Sequence, residues 1–234
     1  MSEIFLRTKS LIGEDNLDKL KGSTVAVMGL GGVGSYAAEA LCRSGIGALY
    51  IYDNDTVSES NINRQLIALN DTVGQKKTEL VKERCLSINP EIKIFDFCEF
   101  ITADSQIPFE KFDFIIDAVD NVTAKLFLAE NATNKNIPII SIMGTGNKLH
   151  PEKLTVSDIY KTHECPLCKV MRSELKKRGV KKLQVVWSDE TPIKPLNLGE
   201  NKGSHPAPAS MIFVPASAGM LAASYVVRNL IEKQ

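Results

Sequence analysis

No charge of one sign dominates this sequence: 28 Lys+Arg residues meet 28 Asp+Glu, for a formal net charge of +0. A balanced chain has no global field drawing it to nucleic acid or a membrane surface, so any polyanion must be held by a local patch. Cysteine is scarce and odd in number, five in 234 residues, which argues against a disulfide framework and fits a reducing cytoplasm. Residues 1–15 lack the basic-then-apolar pattern of a signal peptide. No internal repeat or low-complexity tract is visible. Long apolar runs are nearly missing as well. The one candidate, 209–227, has Pro208 at its edge and Pro215 within it, is rich in Ala and Ser, and ends at Arg228. A buried strand followed by a buried helix accounts for that composition, and no stable membrane insertion is expected.

What is present is the make-up of an ordinary globular protein, with 44% hydrophobic and 24% charged residues. Apolar residues at Ile4, Leu6, Leu11, Ile12, Leu17 and Leu20 predict one or two short amphipathic helices. Strands are predicted at 24–28, 48–52, 92–97, 112–118 and 137–143, with helices at 33–44, 71–89 and 123–135 between them. Such alternation implies an α/β fold, a mostly parallel sheet covered by helices on both faces, with ligands at the strand C-terminal ends. Residues 145–208 carry six prolines, one short charged helix and few clean periodicities. They read as an irregular crossover or substrate region whose stretch 188–208, polar and rich in Pro, Gly and Asn, is expected to be a mobile loop. A C-terminal extension, 209–234, is expected to hold a strand at 211–214 and a helix at 217–233. The whole chain, 1–234, reads as a single domain with a nucleotide-binding core at 1–144.

The first chemical signal is the turn Gly29-Leu30-Gly31-Gly32-Val33-Gly34, which joins a predicted strand to a predicted helix. In that context the glycines permit a tight turn and close backbone approach, and the helix N-terminus offers free N–H groups to a phosphate. Asp53 ends the next strand, where a carboxylate accepts a ribose hydroxyl in Rossmann-like domains. The turn alone does not separate NAD from ATP. The segment from Asn61 and Arg64 to Lys77, followed later by Asp120, favours a triphosphate. Cations neutralise phosphoryl charge, and a carboxylate suits Mg²⁺. A hydride-transfer enzyme has no need of this set.

Together these segments resemble the adenylation domain shared by ubiquitin-activating enzymes and the bacterial proteins that activate sulfur carriers, over roughly residues 5–145. The resemblance implies that Gly29, Gly31, Gly32 and Gly34 lie against the phosphates and that Asp53 binds the ribose. It implies further that Asn61, Arg64 and Lys77 contact the triphosphate while Asp120 coordinates Mg²⁺. Such proteins form homodimers in which an N-terminal arginine enters the partner's site, and Arg7 is the candidate here. Zinc-bearing members carry two Cys-x-x-Cys pairs. Here Cys165 and Cys168 stand alone, too few ligands for structural zinc, so none is expected. They read as two ordinary thiols near a helix start, with a metal shared across a dimer or a redox pair as the lesser alternatives; their place in the crossover region also leaves open the nucleophilic role of members that hand a protein tail to a thiol.

Further short motifs carry a second resemblance over most of the chain: Leu6-Arg7-Thr8, Asp158-Ile159-Tyr160-Lys161-Thr162, Pro166-Leu167 with Val170-Met171-Arg172, and Phe213-Val214-Pro215. These are similar to the tRNA threonylcarbamoyladenosine dehydratases. That resemblance implies adenylation of the threonine carboxylate by ATP, then ring closure by the neighbouring ureido group. An internal nucleophile has a high effective molarity and removes the need for a covalent cysteine. A tRNA partner needs a docking surface. Residues 169–182 hold seven basic residues against Glu174 alone, a stripe suited to phosphates by counterion release. On charge alone it would be a solvated helix face. The alternative activity is adenylation of a ubiquitin-like or sulfur-carrier protein, which leaves open a sulfur-relay or carrier-protein partner.

Overall fold

The computed structural model describes residues 3–196 and 208–232. Two short N-terminal helices, α1 (Leu6–Ile12) and α2 (Glu14–Gly22), precede the first strand. The core then alternates β1 (Thr24–Met28), α3 (Gly34–Ser44), β2 (Ala48–Tyr52), α4 (Lys77–Ile88), β3 (Lys93–Phe97), β4 (Phe114–Asp117), α5 (Val122–Asn134) and β5 (Ile139–Ile142). Beyond it come β6 (Leu154–Asp158), α6 (Pro166–Lys177), β7 (Gln184–Ser188) and the long helix α7 (Phe213–Glu232).

All seven strands form one sheet in the order β3-β2-β1-β4-β5-β7-β6, parallel except where β6 runs antiparallel to β7. Period-two alternation sorts the side chains. Val25, Val27, Leu49, Ile51 and Ile116 enter one core with α3, α4 and α7. Ala26, Met28, Tyr50, Tyr52 and Ile115 enter the opposite one with α5. Strands buried on both faces read as continuous apolar runs, which is why β1 and β2 were legible to the residue. α6 closes a third cluster with Met143, Val185 and Trp187.

Three expectations are corrected. Residues 145–208 are not simply irregular: β6, α6 and β7 extend the sheet. β6 is half-buried along its length except for exposed Thr155, an edge strand too short and too weakly patterned to register. The strand expected at 211–214 does not form. Met211, Ile212 and Phe213 are exposed, and Pro215 sits in the first turn of α7, where a missing N–H costs nothing. The helix expected from 71 begins only at Lys77. Gly74 is left-handed at φ +87°, and Lys76 bridges Thr56 in antiparallel fashion, so turns ending in a single bridge residue replace the first helical turns. The mobile loop expected at 188–208 lies largely outside the described residues. In its described part Glu190 is buried, accepting N–H bonds from Leu149 and His150 at 2.9 and 3.0 Å.

No helix among the described residues is long and apolar enough to cross a membrane.

Candidate nucleotide-binding site

The C-terminal ends of β1, β2, β4 and β5 open on one cleft of about 750 Å³. Its floor is the glycine turn. Gly29 is left-handed at φ +88°, donates to Tyr52 O at 2.8 Å, and lies so close to β4 that an added Cβ would meet Ala118 O at 2.8 Å. A Cβ on Gly34 would stand 1.7 Å from Gly29 O, so only glycine lets α3 start directly under the turn. Gly29, Gly31 and Gly32 line the cleft, whereas Gly34 is buried beneath it. The N-cap of α3, Val33, supplies no side-chain cap. Ser35 N already donates to Gly31 O at 3.2 Å, so it is the N–H groups of the turn itself that face the cleft for an anion.

Asp53 follows β2 and is fixed by two backbone donors, Leu30 N to Oδ2 at 2.6 Å and Asp55 N to Oδ1 at 2.8 Å. Burial raises its carboxyl above the usual range, outweighing the opposite pull of Lys77 and the two N–H bonds. Lys77, 4% exposed at the start of α4, pairs with Asp55 at 2.7 Å and lies 4.0 Å from Asp53. Asn61 is buried and accepts from Ser58 N at 3.2 Å. Arg64 crosses the turn, its Cγ 3.4 Å from where a Gly32 Cβ would lie, and Nη1 donates to Ser60 O and Asn63 Oδ1 at 2.7 and 3.0 Å. Those bonds orient the guanidinium. Beside it Gln65 Oε1 is, among the described residues, the one buried side-chain N or O atom without a partner.

Asp53, Asn61, Arg64, Lys77 and Asp120 all line the same cleft. Asp120 is exposed and makes no hydrogen bond or ion pair with the described residues, while its neighbour Asn121 caps α5 by accepting from Ala124 N at 3.1 Å. Its oxygens are thus free for a ligand. No group of three or more His, Cys, Asp or Glu among the described residues could hold a metal by itself. One free carboxylate matches the way Mg²⁺ is held, by one or two protein oxygens plus substrate phosphates. Arg7 is exposed on α1 and is not part of its own chain's cleft.

Sequence reasoning missed the network behind the cleft wall. Lys125 and Asp117, 1% and 0% exposed, pair at 3.2 Å, and Lys125 Nζ also donates to Ser141 Oγ at 3.3 Å and Ile142 O at 2.7 Å. The Ser141 hydroxyl donates to Asp117 in turn. This ties the ends of β4 and β5 to α5. A lone lysine in the apolar helix stretch 122–132 was the available signal. The opposite wall is a strap: Asn63 Nδ2 donates to Ser210 O at 2.9 Å, and Asn147 N to Ala209 O at 2.7 Å.

The basic stripe is less charged than its sequence implies. Glu174 pairs with Lys177 and Arg178, Arg178 also reaches Glu130 at 3.6 Å, and Arg172 turns inward to Thr162. Lys169, Lys176, Lys181 and Lys182 stay exposed and unpaired among the described residues.

A glycine turn, a buried carboxylate and two cations around one cleft at the strand C-terminal ends mark an α/β domain of the nucleotide-binding type. Comparison with known proteins narrows the class. The ThiF family model matches residues 6–233, and the chain belongs to that family. It is 42% identical to the Bacillus subtilis tRNA threonylcarbamoyladenosine dehydratase over 97% of this chain and 94% of that protein. The Escherichia coli protein of the same name is 33% identical over 97% of this chain and 92% of its own length. A crystal structure of the E. coli enzyme in complex with ATP superposes with a TM-score of 0.88 at 32% identity, covering 98% of this chain and 94% of that one.

Proposed function

We propose that this chain uses ATP to cyclise the threonylcarbamoyl group of a modified adenosine in tRNA, by way of an acyl-adenylate. The observation that carries the reading is the convergence of Gly31, Asp53, Asn61, Arg64, Lys77 and Asp120 on one cleft. It occurs in a chain 42% identical, over nearly its full length, to a dehydratase of that activity. The threonine carboxylate attacks the α-phosphorus of ATP and expels pyrophosphate. The ureido group of the same nucleotide then attacks the acyl carbon and releases AMP, closing the ring with net loss of water.

In this reading the residues divide the work by charge. The turn N–H groups and Asp53 seat the nucleotide. Arg64 and Lys77 offset charge as a carboxylate approaches a phosphate, the most demanding electrostatic event of the reaction. Asp120 would hold Mg²⁺ beside the nucleotide, where the ion would supply positive charge against the phosphates. Arg7, outside its own cleft, fits a role in a partner's cleft within a homodimer. The tRNA and the enzyme would meet in the cytoplasm, with Lys169, Lys176, Lys181 and Lys182 against tRNA phosphates. Calorimetry tests the first half of the proposal: ATP with Mg²⁺ should bind and NAD should not. The reverse preference would overturn it.

A further inference from the structure

Cys165 and Cys168 stand outside that chemistry, both buried beside the cleft wall, 4% and 0% exposed. Cys165 is the N-cap of α6 and Cys168 lies in its first turn. Helical geometry puts such Cα atoms about 5 Å apart, inside the range of roughly 4.4–6.8 Å that disulfides span. The groups that act on the Cys165 sulfur are the neighbouring Cys168 thiol and the backbone N–H groups of Cys168 and Gly144. The Lys148 ammonium, 4% exposed and donating to Ser188 O at 2.9 Å, faces the same sulfur, with Glu190 and Asp189 nearby. These partners, the Cys168 thiol foremost, hold the Cys165 thiol down to about 5, against the effect of burial. Cys168 is pushed up in turn by its bond to Cys165 and by burial. A thiolate-prone cysteine followed three residues later by a second thiol is the arrangement of exchanging dithiols. Cys42 and Cys85 are buried too, but they lie on separate helices, without that spacing and away from the cleft-lining residues.

The pair also touches the nucleotide cleft. A Cβ on Gly144 would stand 3.7 Å from the Cys165 sulfur, and both Gly144 and Leu167 line the cleft.

We propose that Cys165 and Cys168 form a redox-active dithiol that a hydroperoxide closes to a disulfide, and that closure shifts the cleft wall at Gly144 and Leu167 and weakens nucleotide binding. The Cys165 thiolate attacks one peroxide oxygen, breaking the O–O bond. With hydrogen peroxide the departing hydroxide takes up a proton and leaves as water. The Cys168 thiol then attacks the resulting sulfenic sulfur, forming the S–S bond and releasing a second water. The thiols lose two electrons and the peroxide gains them. A dithiol reductant reverses the change.

The inference rests on the nucleotide-cleft reading but requires no tRNA. The reduced full chain is treated with hydrogen peroxide, alkylated and mapped by peptide mass, and its ATP affinity is measured before and after. The expected result is a Cys165–Cys168 peptide lighter by two hydrogens. An affinity about tenfold lower should accompany it, within the roughly 5–150-fold range of ordinary two-site coupling, and dithiothreitol should restore it. Coupling is reciprocal, so saturating ATP should raise the reduction potential of the pair by about 30 mV for a tenfold effect. Cys168→Ser should stop at a sulfenic acid on Cys165, trapped by dimedone. Oxidation confined to Cys98, or a disulfide that leaves ATP affinity unchanged, would overturn the inference. If the reduced protein bound no ATP, the cleft reading itself would fail, and the peptide map would still decide the dithiol.

Discussion

Replacing Lys125 with Met should be among the most damaging single changes available in this chain, and the structure sets the scale. Lys125 is 1% exposed and Asp117 0%, and the lysine Nζ reaches both carboxylate oxygens, a hydroxyl and two carbonyls. Removing one member of such a pair strands the other charge in the interior, at a cost of about 3–5 kcal/mol. Domains of this kind hold only about 5–15 kcal/mol in total. With a urea dependence of about 2 kcal/mol per molar, the unfolding midpoint should fall by roughly 2 M. Replacing Asp117 with Asn in the Lys125→Met background should recover part of the loss, because no uncompensated charge then remains. Equilibrium urea unfolding of the parent and the two variants supplies the measurement. A Lys125→Met midpoint within about 0.5 M of the parent would refute the reasoning and make the pair ornamental.

Other consequences follow from the cleft and its surroundings. Arg64→Ala should lower turnover by about a hundredfold, on the order of 3 kcal/mol for one lost charge-stabilising donor. Its tRNA binding should stay nearly unchanged, as read by single-turnover rates at saturating tRNA. Changing Lys169, Lys176, Lys181 and Lys182 together to Gln should do the opposite, weakening tRNA binding and flattening its salt dependence by roughly one unit of slope per lost contact. An unchanged slope would return α6 to a solvated face. Replacing Cys165 and Cys168 together with Ser should leave ring closure intact under reducing conditions, since the acceptor is internal to the substrate, and should abolish its sensitivity to peroxide. Loss of turnover with ATP binding preserved would instead point to a covalent thiol step.

Much of this organisation was legible in the residues. The strands 24–28 and 48–52 stand where their apolar runs placed them, because burial on both faces leaves no ambiguity of period. Asp53, Asn61, Arg64, Lys77 and Asp120, scattered over the sequence, meet at one cleft, since Asp53 and Asp120 follow the ends of β2 and β4 and the segment from Asn61 to Lys77 links the end of β2 to the start of α4. What escaped notice depended on tertiary partners. The β6–β7 ladder joins short segments whose pairing shows only once the sheet edge exists. The Asp117–Lys125 pair spans a strand and a helix, and Lys125 reads as an ordinary solvated charge until it is seen buried. Gly34 was grouped with the phosphate-contacting glycines, but it serves the packing of α3 beneath Gly29. The charge on α6 was counted correctly and its availability was not, because Glu174 takes up two of the cations.

The most direct test of the central claim is nucleoside mass analysis of threonylcarbamoyladenosine-bearing tRNA incubated with purified protein, ATP and Mg²⁺, with AMP and pyrophosphate measured in the same reaction. The account predicts a product lighter by one water, formed one for one with AMP, absent without ATP and absent with Arg64→Ala at early times. An unchanged nucleoside, while AMP and pyrophosphate appear only when a carrier-protein C-terminus is supplied, would contradict it.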